Sequence, residues 1–527
     1  MWFAAKFSVL CPMKTLPIGI QSLPKLLDTN GIYVDKTQLV HDLVTTGTYY
    51  FFARPRRFGK SLLVSTLKEL FKGNRAVFEG LWIENQWDWT KTHPVIHISF
   101  DALGYDELGL EAVLKRELIK QAQPFGIELV EPDLKGRFNE LLEKLSAKSG
   151  RVVLLIDEYD KPIIDYLESQ MLDTAKTNRA VLREFYSILK SADEYLRLVF
   201  ITGISRFTKV SLFSHLNNLN DISLNERFVA LAGYTQQEIE ANFGDYLGSV
   251  ETKLGMSRAE LLETMKVWYN GYSWDGLTRV YNPFGTLNFL SNREFRNYWF
   301  STGNPRFLIE QMRKHGQFAV ENTPVNSVTF DKFDIEHIEL VSLLFQTGYL
   351  TIKERDVLPG SYILDYPNQE VRESMYQFLL DDLAHNSYRT NTGRTMLDMN
   401  TAFLNRDLGR IRQILASILA DLPAETYQKQ TEGLFHGLIH IIFSYLGIYI
   451  QSEVHSSQGR ADAVVETPGE VYLFEFKFNQ SAAVALAQLR ANGYGEKYRA
   501  SGKVLTAIGV NFNSAERSID DWATEPF

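Results

Sequence analysis

Residues Val152 to Ile156 are five apolar residues in succession, V-V-L-L-I, and they run directly into Asp157 and Glu158. An uninterrupted apolar run of that length suits a strand covered on both faces, and such strands belong to parallel sheets flanked by helices. Neighbouring segments extend the pattern. Thr48 to Ala53 predicts a strand, Ser61 to Phe71 an amphipathic helix, Val95 to Phe100 a strand and Leu108 to Gln121 a helix. Ala180 to Lys190 predicts another helix and Leu196 to Thr202 another buried strand. Strands alternating with helices imply an α/β domain with helices on both faces of the sheet.

Between the first strand and its helix stands R-P-R-R-F-G-K-S, Arg54 to Ser61. Strand, glycine turn and helix in that order make an anion site, because the first backbone N–H groups of a helix have no partner within it. Arg57, Phe58 and Gly59 would offer backbone N–H groups, Lys60 would reach the β- and γ-phosphates of a nucleotide, and Ser61 would place its hydroxyl on Mg²⁺. The usual spacing puts a glycine where this chain has Arg54. A basic loop that merely caps a helix has the same spelling. The Asp157-Glu158 pair at the end of a second strand narrows the choice: Asp157 would hold the metal and Glu158 would polarise the attacking water. Thr202 and Arg206, at the end of the Leu196 strand, are weaker candidates for sensing the γ-phosphate.

From about Tyr234 the pattern turns mostly helical, with an aromatic turn from Trp268 to Trp274, and from about Arg306 to Arg410 it is mixed. That turn reads as packing rather than as a sugar platform. A new unit follows. It has a helix at Tyr427 to Leu446, strands near Ile448 to Val454 and Ala461 to Val465, and a turn at Pro468-Gly469. A strand at Val471 to Phe478, a helix at Ser481 to Asn492 and a strand at Val504 to Val510 complete it. The sequence V-Y-L-F-E-F-K-F puts Glu475 and Lys477 on one face of the strand and Tyr472, Phe474, Phe476 and Phe478 on the other. Charged side chains on so apolar a strand need each other or a metal. Asp462 lies across a hairpin, so Asp462 and Glu475 could share one Mg²⁺ with the Phe476 carbonyl, and Lys477 could orient water. A plain Glu475–Lys477 ion pair is the simpler alternative. His436 and His440 share a helix face, but Gly437 stands where a zinc protease helix has glutamate, so the pair is read as packed or solvated.

Taken in order, G-I-Y-V-D-K-T (Gly31 to Thr37), R-P-R-R-F-G-K-S and L-L-I-D-E-Y-D-K-P (Leu154 to Pro162) make a set. It continues with F-I-T-G-I-S-R-F (Phe200 to Phe207), N-N-L-N-D-I-S (Asn217 to Ser223), W-Y-N-G-Y (Trp268 to Tyr272) and Y-N-P-F (Tyr281 to Phe284). This set resembles the prokaryotic AAA-ATPase-like proteins that carry a C-terminal PD-(D/E)XK nuclease domain. Arg54 at the loop entry departs from ordinary P-loops and is usual in that family. The C-terminal Asp462, Glu475 and Lys477 resemble the PD-(D/E)XK pattern, with Glu432 as the acid of the preceding helix and Gln488 and Tyr494 as the trailing Gln and Tyr.

The resemblance implies an α/β P-loop NTPase-like sheet at 14–230, a mostly helical middle region at 231–425 and a restriction-endonuclease-like α/β domain at 426–521. It lends Lys60, Ser61, Asp157 and Glu158 their ATPase roles. The expected function is ATP binding and hydrolysis coupled to Mg²⁺-dependent cleavage of DNA. The alternative is a nucleotide-regulated binding or signalling switch without nuclease activity. ATP and Mg²⁺ are the expected cofactors, DNA the expected macromolecular partner, and a homo-oligomer is left open.

Composition bounds these readings. Lys and Arg total 55 against 64 Asp and Glu, a formal charge of −9, which excludes a wholly basic nucleic-acid coat but not a local basic groove. The single cysteine, Cys11, forbids an intrachain disulfide and a multi-cysteine zinc site, so a cytoplasmic location is expected. No segment reaches the roughly 18 to 20 apolar residues of a membrane span, and Met1 to Pro12 lacks the pattern of a signal peptide, with Met13 an alternative start.

Overall fold

The computed structural model describes residues 13–167, 171–206, 213, 216, 218–300, 306–315, 317–331, 339–356, 358–383, 392–420, 432–447, 451–454, 462–516 and 518–527. Cys11 and the N-terminal segment lie outside them. Contacts divide the chain into two compact units, Met1–Asn304 with Glu321–Glu370, and Pro305–Val320 with Val371–Phe527. Residues of the 231–425 stretch therefore occur in both.

The first unit is built on a sheet of β1 (Tyr49–Ala53), β2 (Val95–Ser99), β3 (Val152–Asp157), β4 (Leu196–Gly203) and β5 (Asn220–Asp221). Their order is β2-β3-β4-β1-β5, and every neighbouring pair is parallel. β1 and β3 are buried along their whole length, as their apolar sequences demand. Helices Lys60–Phe71, Leu110–Ala122 and Leu134–Ser149 pack on these strands. β4 lies between β1 and β3, so the loop leaving β1 and the acids leaving β3 emerge on the same edge of a parallel sheet. Ligands of open parallel sheets bind outside that carboxyl edge.

A helical body follows from Gln236–Asn242, Gly244–Leu254, Arg258–Tyr269 and Pro283–Asn292. The second and third of its N-terminal residues to act as caps, Ser257 and Asn282, and the first, Thr235, all accept from backbone N–H groups, and Thr235 and Ser257 complete capping boxes with Glu238 and Glu260. Their apolar faces form one core of Ile239, Phe243, Leu247, Val250, Leu261, Met265 and Tyr269, joined by Ile32 and Val34. The mixed stretch contains a small antiparallel sheet of β6 (Thr323–Asn326), β7 (Thr351–Arg355) and β8 (Ser361–Asp365), in the order β6-β8-β7.

The second unit carries β9 (Gln451–Val454), β10 (Ala463–Glu466), β11 (Glu470–Phe478), β12 (Val504–Asn513) and β13 (Ser518–Pro526), ordered β13-β12-β11-β10-β9. β11 and β12 are parallel, joined by the helix Ala482–Ala491; the other neighbours are antiparallel. β13 extends the expected order by one strand. It escapes a periodicity reading because its edge position leaves it only partly buried and rich in acids (S-I-D-D-W-A-T-E-P). The aromatic face of β11 is covered by the helix Glu432–Leu446: the Phe443 ring lies tilted against that of Phe474 at 5.1 Å, and Phe435 lies 6.3 Å from Phe476. The opposite face, with Val471 and Leu473, joins Leu486, Leu489, Tyr494 and Tyr498 in a separate apolar cluster.

The aromatic turn contains a close backbone approach at Gly271. Gly271 sits at φ 103, and a Cβ there would stand 2.0 Å from the Pro367 carbonyl oxygen. Gly271→Ala combines a left-handed backbone with a backbone clash, and we expect a loss of at least about 2 kcal/mol, read as a lower denaturant midpoint for the first unit.

Candidate nucleotide and metal sites

The phosphate loop is shaped by two left-handed residues, Arg57 at φ 68 and Gly59 at φ 89. Such a turn lets successive N–H groups converge, and the helix Lys60–Phe71 starts directly after it. Lys60 is buried and donates to the carbonyls of Arg54 and Pro55, each at 3.0 Å. Burial lowers its pKa, and the nearby carboxylates of Glu158, Asp157 and Asp160 oppose that shift.

The Ser61 hydroxyl lies near the Asp157 carboxylate and, with Lys60, pulls its pKa down. Asp157 is 3% exposed, its pKa is raised chiefly by burial, and its Oδ1 has no hydrogen-bond partner among the described residues. An orphaned carboxylate oxygen beside a serine hydroxyl and a lysine fits a divalent cation, which takes hard oxygen ligands and keeps several waters. Glu158 follows at φ 54, and burial raises its pKa as well.

A cleft of about 320 Å³ opens over this loop. Arg56 to Ser61, Asp101, Glu158 and Lys161 form its polar end. Ile20, Ile32, Val34, Tyr234 and Phe284 are among its apolar walls. Sequence reasoning assigned none of these walls, although G-I-Y-V-D-K-T and Y-N-P-F supply three of them: the signal was a motif without a local chemistry.

Arg54 points elsewhere. Its guanidinium is 1% exposed and lies 4.4 Å from the Phe52 ring centroid and 3.8 Å from that of Trp274. It donates to the carbonyls of Ala53 and Ser223 at 2.8 Å and of Val229 at 3.3 Å. Burial pushes its pKa down to about 9, against the pull of Asp221 and Asp275. The basic residues of the loop are therefore split: Arg56 and Arg57 are exposed, whereas Arg54 and Lys60 are buried. Phe58 packs edge-on to Tyr272 and Trp274, so the aromatic turn packs against the phosphate loop. Trp299 Nε1 donates to the Arg56 carbonyl at 3.1 Å, and its own N–H is held by Glu370, which burial pushes up to about 8.

Thr202 is fully buried at the end of β4, and its hydroxyl has no hydrogen-bond partner among the described residues. The Arg206 guanidinium pairs with Asp221 at 2.9 Å. Phe207 and Asn217 of the quoted motifs lie outside the described residues.

In the second unit Ala463 pairs with Phe474, which sets Asp462 beside Glu475. Asp462 Oδ2 accepts from the Phe476 N–H at 2.8 Å, and Lys477 Nζ donates to Glu475 Oε1 at 2.8 Å. The ion pair is thus present, yet Glu475 is 1% exposed and its Oε2 has no partner among the described residues. Burial, then the Asp462 charge, push Glu475 up to about 7. Burial also raises Asp462, while the Phe476 N–H, His436 and Lys477 hold it down. This donor set fits a metal at a two-carboxylate site completed by water. Among the described residues, no three His, Cys, Asp or Glu side chains gather as a metal cluster. His436 is thereby placed near Asp462, a position that the spacing of the two histidines did not indicate.

Tyr494 belongs to the apolar cluster, and Gln488 is half-buried on its helix. Glu432 opens the helix Glu432–Leu446; its side chain, like Gly459, Arg460 and Ala461, lies outside the described residues.

Residues 17–213 match the family model described as a predicted AAA-ATPase, and residues 430–522 match that of the PD-(D/E)XK nuclease superfamily. Both are families of enzymes, ATPases and nucleases that use ATP and divalent metals. A protein of Azotobacter chroococcum mcd 1, described as an uncharacterized protein in the vnfD 5′ region, is 38% identical over 525 residues, covering 97% of this chain and 99% of that protein. Among solved structures, the Aeropyrum pernix ORC1 protein in complex with DNA aligns with 64% of this chain and 91% of its own, at 10% identity and a TM-score of 0.24. A score that low carries no argument. Among the described residues, no helix is long and apolar enough to cross a membrane.

A metal held by Asp462 and Glu475 would have to displace the proton on Glu475. Protonation near pH 7 competes below that pH and fades above it, so Mn²⁺ affinity should rise about tenfold between pH 6 and pH 8. Calorimetric titration at several pH values checks this, with Glu475→Gln expected to bind weakly and without the slope.

Proposed function

The chain belongs to the family of predicted AAA-ATPases that carry a PD-(D/E)XK nuclease superfamily domain, and from that premise we propose that it binds and hydrolyses ATP and that its nucleotide state gates metal-dependent cleavage of DNA. The observation that carries the reading is the pair of buried carboxylate oxygens without a partner among the described residues, Asp157 Oδ1 and Glu475 Oε2, each beside a lysine. Leaving such an oxygen unpaired costs about 1 to 3 kcal/mol or more for a charged group, a cost that a cation removes.

Bound Mg²⁺ at either place neutralises phosphate oxygens and makes phosphorus more open to attack. In the first unit, the N–H groups of Arg57, Phe58 and Gly59 receive the phosphates. Lys60 exchanges the carbonyls of Arg54 and Pro55 for the β- and γ-phosphates. Ser61 and Asp157 hold the cation, and Glu158 orients the attacking water. The apolar walls of the cleft take the base, while Arg57, whose guanidinium lies 5.0 Å from the Phe284 ring, closes the cleft between base and phosphates. In the second unit, Asp462 and Glu475 hold the cation and Lys477 orients the water that attacks the phosphodiester. A cytoplasmic location belongs to the same reading.

Lys60→Ala should weaken ATP binding by about tenfold or more, the worth of one charged hydrogen bond; equilibrium titration with a fluorescent ATP analogue measures it, and unchanged affinity removes the phosphate-loop assignment. Pure protein with plasmid and linear DNA, Mg²⁺ or Mn²⁺, and with or without ATP, should cut only with metal. Asp462→Ala should abolish cutting, and a fully active variant disproves that centre.

A further inference from the structure

Glu158 holds a backbone conformation that costs a non-glycine residue about 1 to 3 kcal/mol, at φ 54. Strain of that kind persists only where the surroundings over-determine it. The next two residues supply those surroundings. The Tyr159 N–H donates to the Thr202 carbonyl at 3.1 Å, and its hydroxyl donates to the Ser205 carbonyl at 2.9 Å. Asp160 is fully buried, and its Oδ2 accepts from three donors: the N–H of Ile204 at 3.0 Å, the N–H of Ser205 at 2.7 Å and the Ser205 hydroxyl at 2.5 Å.

This staple joins the exit of β3 to the exit of β4. Gly203 is required between them, because a Cβ there would stand 2.5 Å from both Asp160 Oδ1 and the Tyr159 ring. The strands themselves pair only as far as Ile156 and Ile201. Beyond that point Glu158 leaves the sheet: its carbonyl accepts from the Lys161 N–H at 3.1 Å, and the residues after it, Tyr159 and Asp160, are bonded across to the exit of β4. The phosphate loop has separate supports in Arg54, Phe58 and Trp299.

Resting on the ATP-hydrolysis reading above, we propose that Asp160 is a positioning residue: its bonds to Ile204 and Ser205 hold the Glu158 backbone left-handed and so aim the Glu158 carboxylate at the attacking water, without touching nucleotide. Binding and turnover should therefore separate. Asp160→Asn keeps the shape but sets an amide N–H₂ or a neutral oxygen against three donors. Misplacing the water-orienting group by about 1 Å costs on the order of 100-fold in rate.

The test compares wild type, Asp160→Asn and Ser205→Ala in the full chain by steady-state ATP hydrolysis, equilibrium binding of a fluorescent ATP analogue, and thermal unfolding. The expected result is a roughly 10- to 100-fold fall in kcat for Asp160→Asn, well beyond the loss of ATP affinity that follows from removing the Asp160 charge near Lys60. Ser205→Ala, which leaves two backbone donors in place, should fold normally and lose kcat by a smaller factor with affinity unchanged. Should Asp160→Asn fail to fold, Ser205→Ala still decides: unaltered kcat in it overturns the proposal. So does an equal loss of affinity and turnover in Asp160→Asn, the mark of a merely structural role. Wild-type protein that binds ATP and never hydrolyses it overturns the hydrolysis reading, and the role of Asp160 falls with it.

Discussion

The buried Arg54 guanidinium anchors the phosphate loop of the first unit from behind. The Arg54 guanidinium stands between the rings of Phe52 and Trp274 and bonds the carbonyls of Ala53, Ser223 and Val229. Taking a guanidinium out of water is expensive unless opposite charge is near, and the Arg54 Nε has no hydrogen-bond partner among the described residues. Here Asp221 and Asp275 supply that charge, and the ring faces add cation–π attraction. The phosphate loop leaves β1 at this residue, so the same contacts that stabilise the cation hold the loop entry. Pro55 meets Gly348 closely enough that a Cβ on Gly348 would stand 2.6 Å from it, and Trp299 bonds the Arg56 carbonyl. An arginine at this position thus does a different job from the glycine of an ordinary phosphate loop: it anchors the turn from behind and leaves the front to backbone N–H groups.

The two acidic sites share one construction. Each carboxylate stands at or beside a strand whose burial raises its pKa, each has a lysine nearby, and each site keeps an oxygen without a partner among the described residues. Desolvation makes the charged form costly, and that cost is what binding a cation relieves. Burial in a sheet therefore both fixes the geometry of the acids and raises their need for a ligand.

Much of the architecture was legible. β1, β3, β4, β11 and β12 fall close to where their apolar runs place them, since a strand's period is written in adjacent residues. The alternation in V-Y-L-F-E-F-K-F correctly separates the aromatic face, which meets Phe435 and Phe443, from the face of Glu475 and Lys477. The acids after β3 and the Gly59-Lys60-Ser61 turn were equally visible. Edge strand β13 was not, because a half-exposed acidic strand resembles a loop. Asp160 stood in plain view within D-E-Y-D-K-P, but nothing local distinguishes it from a solvated carboxylate.

By itself the sequence determined which residues alternate, which strands are buried on both faces and where charged groups leave them, because each of these depends on neighbours a few positions apart. The tertiary structure alone decided that Arg54 turns inward to Trp274, that Ile32, Tyr234 and Phe284 wall the cleft, and that Asp160 reaches Ile204 and Ser205. Each of those outcomes joins segments far apart in the chain. Only packing can choose, among many carboxylates and cations of the same type, the few that end up desolvated and paired.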